Sequence, residues 1–541
     1  MLKRVFVAAG ALAGAVCLTA GMATAQTVSP EAHSITGSLP SWWPRWFPPV
    51  LNQALSIPAP GMTPVPGGTK PPATIPQSET DFDPTGLLGT YNQPGPTSTA
   101  TNAFFLPLGT NGRTCFSCHQ PVNGMGLSTA HLQTLFLTSF DKDPVFAAVD
   151  GANCPDKPHD HSLLLSKGVF RIFLPVRADA DYTISVVSDP TGCNTNPTYA
   201  QGVDPTTGQP TRIVSVYRRP FVSTNLKFVT TLASGTTDPI DGSPLPVDPV
   251  TGKTSSGNIM WDGREISLRT QAINATLSHA QATTPPTATQ VQQMVDFENG
   301  LYSAQLYDNL AGNLSANGGA GGPLNVFNLP LPTARPPAQA FTLYNAWNTT
   351  LGLGISAARR ESIYRGMALF NTPRFAITNV AGIDNIPLNP PAPQPTLQVV
   401  IGKPNGGSCS TCHSVLNDGS DTFPAAQHDI GVGGTSTAFN GPAPSPDLPI
   451  FEVTCKSGST TPYHGTSVRT NDLGMGLISG KCADIGRLTV PPLRGLASRA
   501  PYFSDGSAQT LDDVVNFYNK RFKIGLTAQE HADLVNFLNA L

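Results

Sequence analysis

The sequence predicts a mainly α-helical protein with long loops, built as two domains, with some short β-structure confined to an insertion. Three observations predict this. Helix-like segments recur at 264–277, around 287–311, at 356–371 and twice after residue 510. Glycine and proline, 51 and 53 of 541 residues, supply turns and long connections rather than a regular bundle or barrel. The nine-residue pattern Asn-Gly-x-x-Cys-x-x-Cys-His occurs twice, at 111–119 and 405–413, and anchors one domain in each half of a chain too long for one ordinary core.

The first 25 residues read as a secretory signal peptide. "MLKR" is basic, "VFVAAGALAGAVCLTAG" is apolar but short for a membrane span, and "ATA" before Gln26 is a small-residue cleavage site. Val16 before Cys17 does not suit a lipoprotein site, and no later segment is apolar enough to cross a bilayer. The mature chain is therefore expected in the periplasm. Only 12% of residues are charged and the net charge is −3, which gives no basic stripe for nucleic acid and no acidic disordered tail.

Residues 26–102 are rich in proline, glycine, serine and threonine and read as an extension with little regular structure. Its "WWPRWF" cluster at 42–47 reads as packing. An N-terminal domain is expected over 103–340, carrying an insertion at about 140–255 with turn signals and the β-prone runs "RIFLPV" and "YTISVV". "NLSANGGAGGPLN", 313–325, reads as a flexible break, with prolines punctuating 329–337. A C-terminal domain is expected over 341–541. Its last two helices carry Thr510 as N-cap with Asp512 and Asp513 in the first turn, then Thr527 and Glu530 as a capping box.

Eight cysteines follow Cys17. Cys154, Cys193, Cys455 and Cys482 form an even remainder that suits disulfides in an oxidising compartment, and 154–193 with 455–482 closes the shortest loops. Cys115, Cys118, Cys409 and Cys412 lie in the repeated pattern. Cys-x-x-Cys-His is the attachment signal for c-type haem: the thiols bond to the vinyl groups and the next histidine reaches the iron. A zinc site would want a second Cys/His pair close by, and a thiol redox pair leaves the histidine unexplained. Two covalently bound haems are expected, with His119 and His413 as proximal ligands.

Five phrases together resemble the bacterial di-haem cytochrome c peroxidase/MauG family: "NGRTCFSCHQP", "MWDGREISLRTQA", "YRGMALFN", "CSTCH" and "VPPLRGLASRAPYFSDGSAQTLDDVVNFY". The resemblance covers much of 103–135, 215–310 and 357–541, and leaves out the extension and residues 140–210. It implies two cytochrome-c-like haem domains facing each other. The N-terminal haem is then peroxidatic and the C-terminal haem transfers electrons, with Trp261 between them. Gln271 matches a pocket glutamine, and Gln281 stands where the family carries a glutamate. Glutamine cannot shuttle a proton, whereas His279, two residues away, has a suitable unperturbed pKa.

For the second iron, classical members supply a distal methionine and the MauG-like branch a tyrosine. Tyr518 occupies that position, on one helical face with Leu511, Val514, Val515 and Phe522, and Met475 is its rival. Distal candidates at the first iron are His131, His159, His161 and His279. Ser504 replaces a family histidine. The resemblance also implies one calcium ion, for which Asn225 and Pro501 are the nearest matches.

The resemblance implies a peroxide-dependent haem oxidoreductase, a peroxidase. Its electrons would come from a small redox protein, a cytochrome c or cupredoxin, or from a protein substrate. Two other readings stand beside it: a di-haem oxygenase that uses O2 on an apolar substrate, as rubber oxygenases do, and a non-enzymatic electron-transfer protein.

Overall fold

The computed structural model describes residues 70–541 except 205–206, 232–236, 238–243, 332–339, 349–351, 385–397 and 422–426. The leader, the tryptophan cluster at 42–47, the rest of 26–69 and most of the 329–337 proline stretch lie outside the described residues. The principal strands are β1 (Ser78–Asp83), β2 (Gly86–Asn92), β3 (Phe170–Pro175), β4 (Tyr182–Ser188), β5 (Gln201–Val203), β6 (Pro210–Arg218), β7 (Leu301–Asp308), β8 (Gly312–Asn313), β9 (Ile450–Cys455) and β10 (Ser467–Thr470). The principal helices are α1 (Thr129–Ser139), α2 (Ser162–Lys167), α3 (Leu268–Ser278), α4 (Ala288–Asn299), α5 (Ile355–Asn371), α6 (Leu511–Arg521) and α7 (Ala528–Asn539).

Several helices start where side chains satisfy the open N–H groups of the first turn. Ser267 caps α3 through the Thr270 N–H, Thr287 caps α4 through Gln290, Thr510 caps α6 through Asp513, and Thr527 caps α7 through Glu530. The helices expected at 356–371 and after residue 510 are present within a residue or two.

The fold class is corrected from mainly α to mixed α/β: twelve helices accompany five small sheets among the described residues. The described part of the extension, 70–102, is not irregular. It supplies β1 and β2 to a four-stranded antiparallel sheet of order β8-β7-β2-β1. The reading of 287–311 as one helix is also corrected. Helix α4 stops at Asn299, Gly300 caps it, and β7 begins at Leu301. β7 lies between β2 and β8, so ladder pairing of a segment containing Tyr302 and Tyr307 overrides its weak helical pattern. The expected break at 313–325 holds a short helix, Pro323–Phe327, and a 3-10 turn, Ala316–Gly318.

Within the insertion, the β-prone runs form β3 and β4 as expected. β3, β6 and β5 form one sheet, whereas β4 pairs with β9 in the order β10-β9-β4. The insertion is thereby hydrogen-bonded to the C-terminal half of the sequence. The disulfides Cys154–Cys193 and Cys455–Cys482 have the expected connectivity, with Cα separations of 5.5 and 5.8 Å.

Two aromatic cores flank the repeated motifs. Phe104, Phe105, Phe116 and Phe297 pack beside Cys115, and Phe341, Trp347, Phe370 and Phe537 pack beside Cys409. In the second core α5 and α7 cross at Gly366, where an added Cβ would lie 2.0 Å from the Asp533 carbonyl oxygen. Arg365 pairs with the Asp533 carboxylate at 2.8 Å beside this crossing. Gly366→Ala is expected to push the helices apart and destabilise the fold by about 1–3 kcal/mol, measured by urea unfolding.

Candidate functional site

The two Cys-x-x-Cys-His runs fold alike. Cys115–Ser117 and Cys409–Thr411 are single 3-10 turns, capped by Thr114 with Ser117 and by Ser408 with Thr411. The His119 and His413 N–H groups donate to the carbonyls of Cys115 and Cys409, both at 3.1 Å. Each ring then turns its Nδ1 to a carbonyl six residues on, Met125 at 3.0 Å and Gly419 at 2.8 Å. A neutral imidazole that donates through Nδ1 keeps the Nε2 lone pair for a metal. Burial holds both rings neutral, with pKa values lowered to about 4 despite these hydrogen bonds.

The four motif cysteines carry thiols rather than disulfides. Burial pushes Cys118 and Cys409 up to about 12 and Cys115 higher. Protonated thiols do not suit a redox dithiol, whose attacking sulfur needs a lowered pKa. Each motif places two cysteine sulfurs and one neutral imidazole beside a cavity, a set that fits a c-type haem.

The first cavity encloses about 1330 Å3 of empty space, its mouth included, and the second about 1670 Å3. Cys115, Cys118, His119, Trp261, Gln271 and His279 line the first. Gln271 projects from α3, and His279 is the residue that ends that helix. The His279 Nδ1 is hydrogen-bonded to the Asp150 carboxylate, which also takes a hydrogen bond from Arg113. Burial would raise the Asp150 carboxyl, but Arg113 and His279 hold it below the usual range. This contact fixes the orientation of the His279 ring, which is one-third exposed.

The sequence reading missed the orienting pair Arg113 and Asp150, and also Glu298 at the end of α4. Arg113 lies inside the first motif, which was the available signal. Glu298 lines the first cavity and is 5% exposed. Its Oε1 accepts from Ser223 at 3.1 Å and its Oε2 meets no partner. Burial raises this carboxyl to about 7.

The second cavity is lined by Cys409, Cys412, His413 and the whole expected face of α6: Leu511, Val514, Val515, Tyr518 and Phe522. Tyr518 therefore shares a cavity with His413, whereas Met475 lies at the start of a short helix, Gly476–Ser479, and is not among the lining residues. Burial first, then the Cys412 and Cys409 sulfurs, raise the Tyr518 phenol above its usual range. His428, also missed, lines this cavity 3.5 Å from Asp421. Ser504 and Pro501 line it as well.

Trp261, Arg219, Pro220 and Val222 line both cavities, so they form a shared wall. The Trp261 indole N–H donates to the Arg219 carbonyl at 2.8 Å, and Phe221 packs edge-on to the ring at 5.2 Å.

Other expected residues are not brought to the first cavity. Gln281 follows the end of α3 in a left-handed conformation, φ 56°, and its side chain meets Asn111 at the surface, which turns it away from the lining. His131 and His161 are buried elsewhere, and His159 is exposed beside Asp141. The Asn225 amide is engaged on both atoms by the Ser303 backbone, at 3.0 and 3.2 Å. Among the described residues no cluster of three or more His, Cys, Asp or Glu side chains forms a metal site, and no helix is long and apolar enough to cross a membrane.

No family model matches the chain. Among curated proteins it is 32% identical over 158 residues to the cytochrome-c peroxidase IdrP2 of Denitromonas iodatirespirans, covering 25% of this chain and 41% of that protein. It is 42% identical over 69 residues to IdrP1 of the same organism, covering 11% and 18%. It is 31% identical over 151 residues to the hydrazine synthase subunit gamma of Kuenenia stuttgartiensis, covering 27% and 39%. The chain thus spans less than half the length of these relatives. Two solved structures are similar at TM-scores of 0.27 and 0.25: a MauG-like protein associated with microbial copper homeostasis (16% identity, 58% of this chain and 85% of that one) and Kuenenia stuttgartiensis hydrazine synthase (15% identity, 60% and 73%). The similarity to cytochrome-c peroxidases is partial and of low identity, and it supports the resemblance read from the motifs.

The Glu298 carboxyl sets a pH dependence. Its folded pKa of about 7 lies above the ordinary 4.5, so the native state holds a proton that the unfolded chain has released between those values. The contribution to stability is full below 4.5 and lost as pH rises through about 7. Glu298→Gln is expected to match the parent at low pH and to exceed its unfolding temperature increasingly across that window, read by thermal denaturation.

Proposed function

We propose that the protein is an exported di-haem c-type oxidoreductase of the cytochrome c peroxidase/MauG kind, with haem domains over 103–340 and 341–541, that reacts with hydrogen peroxide. The observation that carries this reading is the pair of cavities, each with its own Cys-x-x-Cys-His run, separated by a wall that contains Trp261. When bound, each haem would supply an iron that exchanges electrons.

In the first cavity His119, oriented by the Met125 carbonyl, would hold the haem iron. His279 Nε2 takes the proton from one peroxide oxygen and returns it to the other, with Asp150 fixing the ring. Gln271 offers an amide donor from the same helix. Trp261, held at its indole nitrogen, provides an aromatic group between the two sites. In the other cavity His413 and Tyr518 would hold the second haem, and burial raises the Tyr518 phenol above its usual range, so its oxygen would give up the proton only to a metal. Electrons come from a small redox protein, a cytochrome c or cupredoxin, or from a protein substrate. A second reading, O2 acting on an apolar substrate, is favoured by the apolar part of the first cavity, where Leu106, Leu108, Val229 and Ile259 line the space.

The test mixes the diferric protein with stoichiometric hydrogen peroxide in stopped flow and follows the Soret band. Rapid loss of intensity is expected, and an unaltered spectrum would direct attention to O2. His279→Gln is expected to slow the reaction by about 10²-fold or more, with Gln281→Ala leaving it unchanged. Tyr518→Phe is expected to raise the reduction potential of the second haem, because an anionic oxygen ligand favours ferric iron, and spectroelectrochemical titration measures the shift.

A further inference from the structure

Arg219 follows the last residue of β6 and is 7% exposed. Among the described residues no carboxylate pairs with its guanidinium. The group donates instead to backbone carbonyls from three separate segments: Leu127 at 2.6 Å, Arg499 at 2.7 Å and Lys167 at 3.4 Å. The space around it is shaped for this. Gly168 has φ +66°, and a Cβ there would lie 2.3 Å from Arg219 Nη1. Three carbonyl oxygens from distant parts of the chain, the kind of ligand a hard cation takes, converge here on the buried Arg219 guanidinium, with the buried Arg499 guanidinium nearby.

The calcium ion implied by the family resemblance would use an asparagine amide and backbone carbonyls near Asn225 and Pro501. Those groups do not fit a metal here. Both polar atoms of the Asn225 amide are engaged by Ser303, and the carbonyl of Arg499, two residues before Pro501, is taken by Arg219.

We propose that the Arg219 guanidinium is a built-in cation that stands in for the calcium ion, so that the wall between the two cavities is held together without metal. A guanidinium suits the task because it is weakly hydrated and presents several N–H donors in a fixed fork, so it can be buried against carbonyls that would otherwise ligate an ion. The same residue holds the Trp261 indole through its own carbonyl, so the cation and the bridging ring share one anchor. The inference rests on the family resemblance for the identity of the replaced ion and is independent of the peroxide reaction.

The experiment uses the full-length haem-loaded protein, dialysed against millimolar CaCl2 and then against buffer. Calcium per chain is measured by mass spectrometry, thermal unfolding is followed in CaCl2 and in EGTA, and haem content is recorded alongside. The expected result is less than stoichiometric calcium and one unfolding temperature in both solutions. Arg219→Ala is expected to unfold at lower temperature and to regain part of the loss in millimolar guanidinium or CaCl2, neither of which moves the parent. One calcium per chain in the parent, with destabilisation by EGTA, would overturn the proposal, as would a variant that loses nothing or that neither cation restores. If Arg219→Ala does not fold, the parent's calcium content and EGTA response decide. Missing haem together with the expected calcium result would count against the proposed function and leave the cation inference standing.

Discussion

The wall between the cavities depends on one buried ion cluster. Arg218 is 2% exposed and binds Asp472 through two hydrogen bonds of 2.6 and 2.7 Å and Asp262 through a third. Burial opposes the charge, yet the two carboxylates hold the guanidinium above its ordinary pKa, and Arg218 with Arg264 holds Asp262 below its own. Removing one member would strand a buried charge, at a cost of about 3–5 kcal/mol. The cluster ties the end of β6 to the residue after Trp261 and to the segment following β10. Arg219 then carries the opposite link, from its carbonyl to the Trp261 indole and from its guanidinium to the carbonyls of three segments. Two adjacent arginines thereby fix the aromatic ring that both cavities share.

Around that wall the chain repeats one solution twice. A capped 3-10 turn presents two thiols, and a carbonyl six residues beyond the histidine orients the ring. The surroundings then diverge. The first cavity receives titratable groups, His279 oriented by Asp150 and Arg113, and Glu298 with one unpartnered oxygen. The second receives an apolar helical face with Tyr518 in its middle, and His428 near Asp421. The two cavities thus differ in their titratable lining, His279 and Glu298 in the first and His428 and Tyr518 in the second.

Local sequence patterns carried much of this. The Cys-x-x-Cys-His runs, the Thr510 N-cap of α6, the capping box of α7, the disulfide pairing and the inward face of α6 rest on contacts a few residues apart or on simple loop closure, and all were legible. Strand β7 was not, because its conformation comes from partners in β2, more than two hundred residues earlier. β1 and β2 were obscured by a composition that reads as loop, and pairing with β7 supplies what composition hides. Gln281 was misplaced because an ungapped reading carries helix α3 onward, whereas the helix ends at Ser278 and the chain reverses. Asp150 and Glu298 acquire their roles only through burial beside residues far along the chain, which spacing cannot reveal.

The central claim is that both motifs carry covalent haem in one molecule. The most direct measurement is the intact mass of the protein matured in cells with a haem c assembly system, paired with a pyridine haemochrome assay. The account predicts the mass of the chain plus two haems, and the loss of one haem alone when Cys115 and Cys118 are both replaced by serine. A chain that carries no covalent haem, or one whose motif cysteines are recovered as disulfides or as a zinc complex, would contradict it.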